Sequence, residues 1–157
     1  MLVLVRVDDR LIHAQVVIGW NEECRPDRII LADDNVAANE FEKNLYISAV
    51  STDTKVSVIS LKNTAERIKR GVYDRDRVIL LVRAPEQALR LYEYGVVFDE
   101  LNIGGMHYME GRKKLMENFY ISDKEKSILR ELVKKSVVLE SRALPGDEKV
   151  IINSRIV

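Results

Sequence analysis

The chain has two histidines, and the first, His13, ends a run dense in charge: Arg6-Val7-Asp8-Asp9-Arg10-Leu11-Ile12-His13. A neutral imidazole is a nucleophile, and the ordinary pKa of that ring, about 6.5, leaves a neutral fraction at cytosolic pH. Arg10 stands three residues before His13, so the two share a helical face if a helix has already begun there. A guanidinium and an imidazole at a helix N-terminus make a seat for a dianion, because exposed N–H groups and the helix dipole both favour negative charge. Asp8 and Asp9 occupy the turn where such a helix needs its cap, so one of them can take up free backbone N–H groups. Arg6 interrupts an apolar stretch, and a charge in that setting requires a carboxylate or a polar cleft opposite it. A plain structural reading competes with this one: Asp9 an ordinary cap, Arg10 a solvated first-turn residue, His13 a helix residue with a satisfied ring.

The second histidine, His107, closes the segment Gly104-Gly105-Met106-His107, which reads equally well as a turn glycine pair beside a surface imidazole. Asp33-Asp34 is most simply a helix cap. Metal binding is not expected, because no HxH, HExxH or acidic calcium-loop spacing occurs. No glycine-rich loop follows the first apolar run, and no GxSxG elbow is present, so neither a bound dinucleotide nor a serine hydrolase is supported. No cofactor is expected. The single cysteine, Cys24, excludes an internal disulfide and a thiolate-rich zinc site, and it suits a reducing compartment. A response-regulator receiver domain also carries an acidic pair where Asp8-Asp9 stands. It further needs an Asp after the third strand and a Lys after the fifth, where this chain has Val58-Ile59-Ser60-Leu61 and Asn102-Ile103-Gly104-Gly105.

The elements that position these residues follow from periodicity. Short β-branched runs at residues 2–7, 28–32, 55–59, 77–82 and 100–103 predict strands, and their continuous apolar character suits coverage on both faces. Helical patterns fill the gaps at 11–23, 35–50, 61–71, 84–95 and 122–135. Pro85 stands in a permitted first turn, Gly95 closes its helix, and Ser122 with Glu125 has capping-box spacing. Two further strand-like pieces lie at 137–141 and 149–153. This alternation predicts an α/β fold, a three-layer open and mostly parallel sheet with helices on both faces, in a single domain over residues 1–157. Ligands of such sheets gather at the carboxyl ends of the strands, which selects Asp8-Asp9-Arg10, Asp33-Asp34, Ser60, Arg83 and Gly104–His107. Twenty-five Lys and Arg balance twenty-five Asp and Glu over 157 residues, a neutrality that argues against nucleic acid as a partner. The apolar run before Arg6 is four residues, too short for a signal peptide or a spanning helix, so a cytoplasmic protein is expected.

Residues 5–20, VRVDDRLIHAQVVIGW, closely resemble the active-site signature of the enzyme IIB component of the mannose/sorbose-type sugar phosphotransferase system, approximately R-[IV]-D-D-R-L-I-H-G-Q-V-x-x-x-W. The resemblance continues through LADDNVAANEF at 31–41, LNIGGMHYMEGRKKL at 101–115 and YISDKEKSILRELVKKSV at 120–137. It implies a phosphocarrier with a mostly parallel open sheet. A phosphohistidine IIA protein, here expected on a separate polypeptide, would pass its phosphoryl group to His13. The IIB protein would then deliver it to a sugar entering through the membrane IIC and IID components, at the inner face of the membrane. By position, His13 corresponds to the phospho-accepting nucleophile, Arg10 to the phosphoryl clamp and Asp8 to the acidic residue of the same loop. Arg6 and Asp9 correspond to orienting residues, while Gly104, Gly105 and His107 form a neighbouring loop in which His107 is not catalytic. Docking of IIA is expected around an apolar ring at His13, with Met106 and Tyr108 as contacts or, alternatively, as turn residues packed on the core.

Three positions depart from the family pattern: Ala14 in place of the motif glycine, Ser136 where glycine is usual, and Ser51 where proline is common. A glycine in the left-handed region could not be replaced without strain, whereas one in helical space could. Two other readings stay open. One is a non-transporting regulator that uses the same phosphohistidine switch; the other is a small anion- or nucleotide-binding domain.

Overall fold

The computed structural model describes residues 1–50 and 53–157, without the side chains of residues 14–16. Ser51 therefore lies outside the described residues. Five β-branched runs become parallel strands: β1 (Leu2–Asp8), β2 (Arg28–Ala32), β3 (Lys55–Ile59), β4 (Val78–Val82) and β5 (Glu100–Gly105). Beyond β5 come a hairpin, β6 (Lys113–Met116) and β7 (Phe119–Ile121), and then β8 (Val138–Ser141) and β9 (Val150–Ile151). The main sheet runs β3-β2-β4-β1-β5-β8-β9, and every pairing is parallel except β8 with β9. The helices are α1 (Ala14–Cys24), α2 (Asp34–Ala38), α3 (Glu40–Ala49), α4 (Leu61–Lys69), α5 (Pro85–Glu93), α6 (Asp123–Lys134) and α7 (Asn153–Ile156).

Alternate residues of the central strands β2 and β4 feed two cores, the arrangement expected of a sheet covered on both faces. Ile29, Leu31, Ile79 and Leu81 pack with Val17 and Trp20 of α1 and Val36 of α2. Ile30, Ala32, Leu80 and Val82 pack on the other side with Leu61 of α4, Leu91 of α5, and Leu129 and Leu132 of α6. The connection after β1 thus departs to one face, while those after its neighbours β4 and β5 depart to the other. That reversal makes the carboxyl end of β1 a topological switch point, the place where open α/β sheets bind ligands.

Differences from the sequence expectation have local causes. The helix expected at 11–23 starts at Ala14, because the Asp8 carbonyl accepts the Leu11 N–H at 2.9 Å and Leu11 has φ +58, which no right-handed helix contains. The helix expected at 35–50 is two. Asn39 is extended at φ −111, ψ 102 and accepts the Glu42 N–H, so it caps α3. The strand expected at 149–153 shortens to Val150–Ile151 and turns into α7. The β6–β7 hairpin was not expected from sequence; Asn118 turns it at φ +59.

Ser136 stands at a left-handed helix end, a position that suits glycine. Helix α6 ends with Ser136 N–H bonded to the Val133 carbonyl and Val137 N–H to the Leu132 carbonyl, with Ser136 at φ +67. This is the Schellman ending. Helices α4 and α5 end the same way on Gly71 and Gly95, at φ +76 and +101. A left-handed serine is strained where glycine is not, although glycine loses more entropy on folding. Ser136→Gly is therefore expected to stabilise the protein by about 0.5–1 kcal/mol, read as a higher denaturant midpoint at unchanged m. An unchanged or lower midpoint would contradict this.

Candidate functional site

The site is built on a tight turn leaving the central strand. Asp8, the last residue of β1, is fully buried and divides its carboxylate between two arginines. One oxygen accepts the Arg10 N–H at 3.0 Å and lies 3.4 Å from Arg10 Nε; the other lies 3.0 Å from Arg6 Nη2. The Asp8 side chain and carbonyl together bend the chain back at Arg10 and Leu11. Arg10 and His13 therefore do not share a helical face, and neither Asp8 nor Asp9 caps α1. His13 itself is the N-cap residue, extended at φ −115, ψ 127, with no side-chain capping bond and no acidic residue in the first turn of α1. No carboxylate of the first turn of α1 offsets the positive end of the helix dipole.

The His13 ring is part-buried, and its Nδ1 has no hydrogen-bond partner among the described residues. The Arg10 side chain is 39% exposed, and its only hydrogen bond among the described residues goes to Asp8. Two guanidiniums thus share one carboxylate, and the exposed one has its Nη donors free among these residues. Ala14 is the first residue of α1, in helical space, so no left-handed backbone is needed where the family has glycine.

A polar layer beneath holds Asp8. Arg6, 1% exposed, donates to Asn102 Oδ1 and to the Arg142 carbonyl as well as to Asp8. Asn102 donates to Glu140 at 2.8 Å, Glu140 pairs with Arg142 at 3.2 Å, and both Arg6 and Arg142 lie over the Trp20 ring. Burial works against the charge on Arg6 and lowers its pKa, with Asp8 opposing that shift. The glycine pair is required here. A Cβ on Gly104 would sit 1.8 Å from the Arg6 guanidinium carbon, and one on Gly105 would sit 2.6 Å from Asp8 Oδ1.

Asp9 points the other way. Its carboxylate accepts the His107 N–H at 2.8 Å, lies 2.6 Å from His107 Nδ1 and accepts from Arg112 at 3.2 Å. Burial alone would raise its pKa, but the bonds from the His107 N–H, the His107 ring and Arg112 outweigh it and hold the carboxyl below its ordinary value. His107 is thereby tied to the turn through one ring nitrogen.

The remaining sequence candidates serve the neighbouring loops. Asp33 caps α2 through the N–H groups of Asn35 and Val36 and accepts from Gln87 and Arg83. Asp34 accepts the Leu61 N–H, and Ser60 caps α4. Met106 is fully buried in the core, which excludes it as a docking contact; Tyr108 is 70% exposed. Sequence reasoning missed Arg112, Asn102, Glu140 and Arg142 as part of this site. Their only signal was charge or amide polarity at or near strands, as for Arg6. Among the described residues no group of three or more His, Cys, Asp and Glu could hold a metal ion, and no helix is long and apolar enough to cross a membrane.

A nucleophilic ring stands at the uncapped start of a helix, next to a turn that presents a partly free guanidinium. This arrangement can stabilise a dianionic group in transit. A family model described as the PTS system sorbose subfamily IIB component matches residues 2–156. The sorbose-specific EIIB component of Klebsiella pneumoniae is 33% identical over 155 residues, which cover 99% of this chain and 94% of that protein. The mannose-specific EIIAB component of Escherichia coli is 31% identical over 147 residues, 94% of this chain and 46% of that protein. The crystal structure of the IIBSor domain of the sorbose permease from Klebsiella pneumoniae superposes with a TM-score of 0.93 at 33% identity, covering 99% of this chain and 96% of that one.

Proposed function

Because the chain belongs to the sorbose subfamily of PTS IIB components, phosphotransferases of sugar uptake, we propose that His13 is its phosphoryl acceptor, with Arg10 as clamp and Asp8 as the residue that sets the clamp. The observation that carries this reading is the exposed Arg10 held by a buried Asp8 three residues before an uncapped helix start at His13. A phosphohistidine IIA protein is the donor. The lone pair of the neutral His13 ring forms the new P–N bond as the donor P–N bond breaks, and the donor imidazole leaves. Both ends of the step are phosphoimidazoles, so it runs nearly level in free energy and reversibly. The protein's part is alignment and electrostatics: Arg10 and the first N–H groups of α1 neutralise the equatorial oxygens. Arg suits the task better than Lys because its planar fork donates two parallel bonds.

Discharge goes to a hydroxyl of a sugar brought by the membrane IIC and IID components; the oxygen forms its bond to phosphorus as the His13 N–P bond breaks, and the hydroxyl proton ends on the released His13 ring, which is neutral again. That the E. coli relative is an EIIAB component supports a IIA partner for this chain. The exposed Tyr108 and Met109 lie on the loop that His107 ties to Asp9, next to the acceptor turn, where an incoming protein would meet them. The carrier works at the cytoplasmic face of the membrane.

The test charges the protein from a phosphorylated IIA donor and then adds membranes containing IIC and IID with a sugar. Label is expected to appear on the protein and to leave as sugar phosphate. A protein that charges but never discharges to any sugar would contradict the transport role and favour a regulator switched by phosphohistidine.

A further inference from the structure

We propose that Arg112 is a positioning residue for phosphoryl transfer, fixing the His13 loop through Asp9; the inference rests on the phosphocarrier reading above. Arg112 is 103 residues from Asp9 in sequence, and its side chain is 8% exposed. Its Nη1 donates to Asp9 Oδ2 at 3.2 Å and to the His107 carbonyl at 2.7 Å. Its Nε and Nη2 grip both oxygens of Glu125 at 2.9 and 2.8 Å. One planar guanidinium therefore joins three groups, and a bidentate grip fixes its orientation as well as its place.

The anchor is rigid. Glu125 is the third residue of α6 in a reciprocal capping box: it accepts the Ser122 N–H at 3.1 Å, and Ser122 Oγ accepts the Glu125 N–H at 3.1 Å. At the other end Asp9 is fixed by backbone as well as side chain, since its N–H bonds the Gly105 carbonyl at 2.9 Å. Between Asp9 and His13 the chain passes through Leu11 at φ +58, a conformation that persists in a leucine only where the surroundings over-determine it. Asp8 holds this turn from within the sheet, and the Glu125–Arg112–Asp9 chain holds it from the side of α6. Transfer between two imidazoles depends on in-line alignment, and misplacement by about 1 Å can cost two orders of magnitude.

The experiment measures single-turnover transfer from a phosphorylated IIA donor as donor concentration is varied. Arg112→Met is expected to lower the limiting rate about tenfold or more, with the half-saturating donor concentration unchanged within twofold. Arg112→Lys restores part of the rate, because an ammonium still reaches Asp9. Asp9→Asn shows a comparable loss, and the double variant is no slower than the slower single one. If Arg112→Met does not fold, Arg112→Lys and Asp9→Asn carry the comparison. A folded Arg112→Met protein that transfers at the parental rate, or losses in the two single variants that multiply, would overturn the inference. A parent protein that takes up no phosphate overturns the carrier reading and this inference with it.

Discussion

His13→Ala is expected to reduce phosphoryl labelling from a charged donor to background, while His107→Ala keeps it. The two histidines differ in their surroundings. His107 Nδ1 is engaged by Asp9 at 2.6 Å, so that ring serves to hold a loop. His13 Nδ1 has no partner among the described residues, and no carboxylate within them fixes its tautomer. Alanine at 13 removes the imidazole at the start of α1, and no neighbouring hydroxyl or thiol from the described side chains of the turn can replace it. The fold should survive, because the capped ends and strand pairings do not use the His13 side chain: α1 takes no side-chain capping bond from it. Circular dichroism and a denaturant midpoint within about 1 kcal/mol of the parent check that loss of label is loss of chemistry. Label retained at the parental level by a folded His13→Ala protein would mean that the acceptor lies elsewhere.

Asp8→Ala is expected to destabilise the protein by about 3–5 kcal/mol, the cost of leaving a buried charge without its partner. Arg6 is 1% exposed and its counter-ion would be gone. Its remaining acceptors, Asn102 Oδ1 and the Arg142 carbonyl, are neutral. The same change removes the acceptor of the Arg10 N–H and so loosens the turn that carries Arg10. Transfer should therefore fall even where the variant is still folded. Replacing both members of the pair by apolar residues of similar volume, Arg6→Met with Asp8→Leu, should recover much of the stability and none of the activity. Urea unfolding separates the cases: a lower midpoint at unchanged m for Asp8→Ala, and a midpoint near the parent for the double variant. An Asp8→Ala protein within about 1 kcal/mol of the parent would mean that the charge on Arg6 is satisfied in some other way.

Much of the architecture was legible because the signals are local. Runs such as Val78–Val82, apolar at every position, announce strands covered on both sides, and the observed burial agrees at all five. Ser122 and Glu125 form the capping box that their spacing predicts, and Pro85 opens α5. The turn at the site was harder to read. Nothing in the identity of leucine signals a positive φ, so the late start of α1 could not be read from Leu11. The cause is the buried Asp8, whose carboxylate draws in the Arg10 N–H and competes with helix formation. Asn39 carried a readable signal, since Asn followed three residues later by Glu42 suits an N-cap, but the continuous pattern around it favoured one long helix.

The supporting layers were illegible for a different reason. Arg112 meets Asp9 across 103 residues, and Arg6 meets Asn102 across 96. Such pairings exist only once β1 lies beside β5. Sequence could flag Arg6 as a charge in need of a partner, and it could not say which residue would supply one. The glycines at 104 and 105 show the same limit. They looked like a turn, whereas they end β5 and clear space for the Arg6 and Asp8 side chains.

The most direct test of the central claim is to charge the protein from a phosphorylated donor, digest it under alkaline conditions that preserve phosphohistidine, and locate the phosphate by mass spectrometry. The account predicts a single modified peptide with the phosphate on His13. Phosphate on His107, on Cys24 or on no residue at all would contradict it.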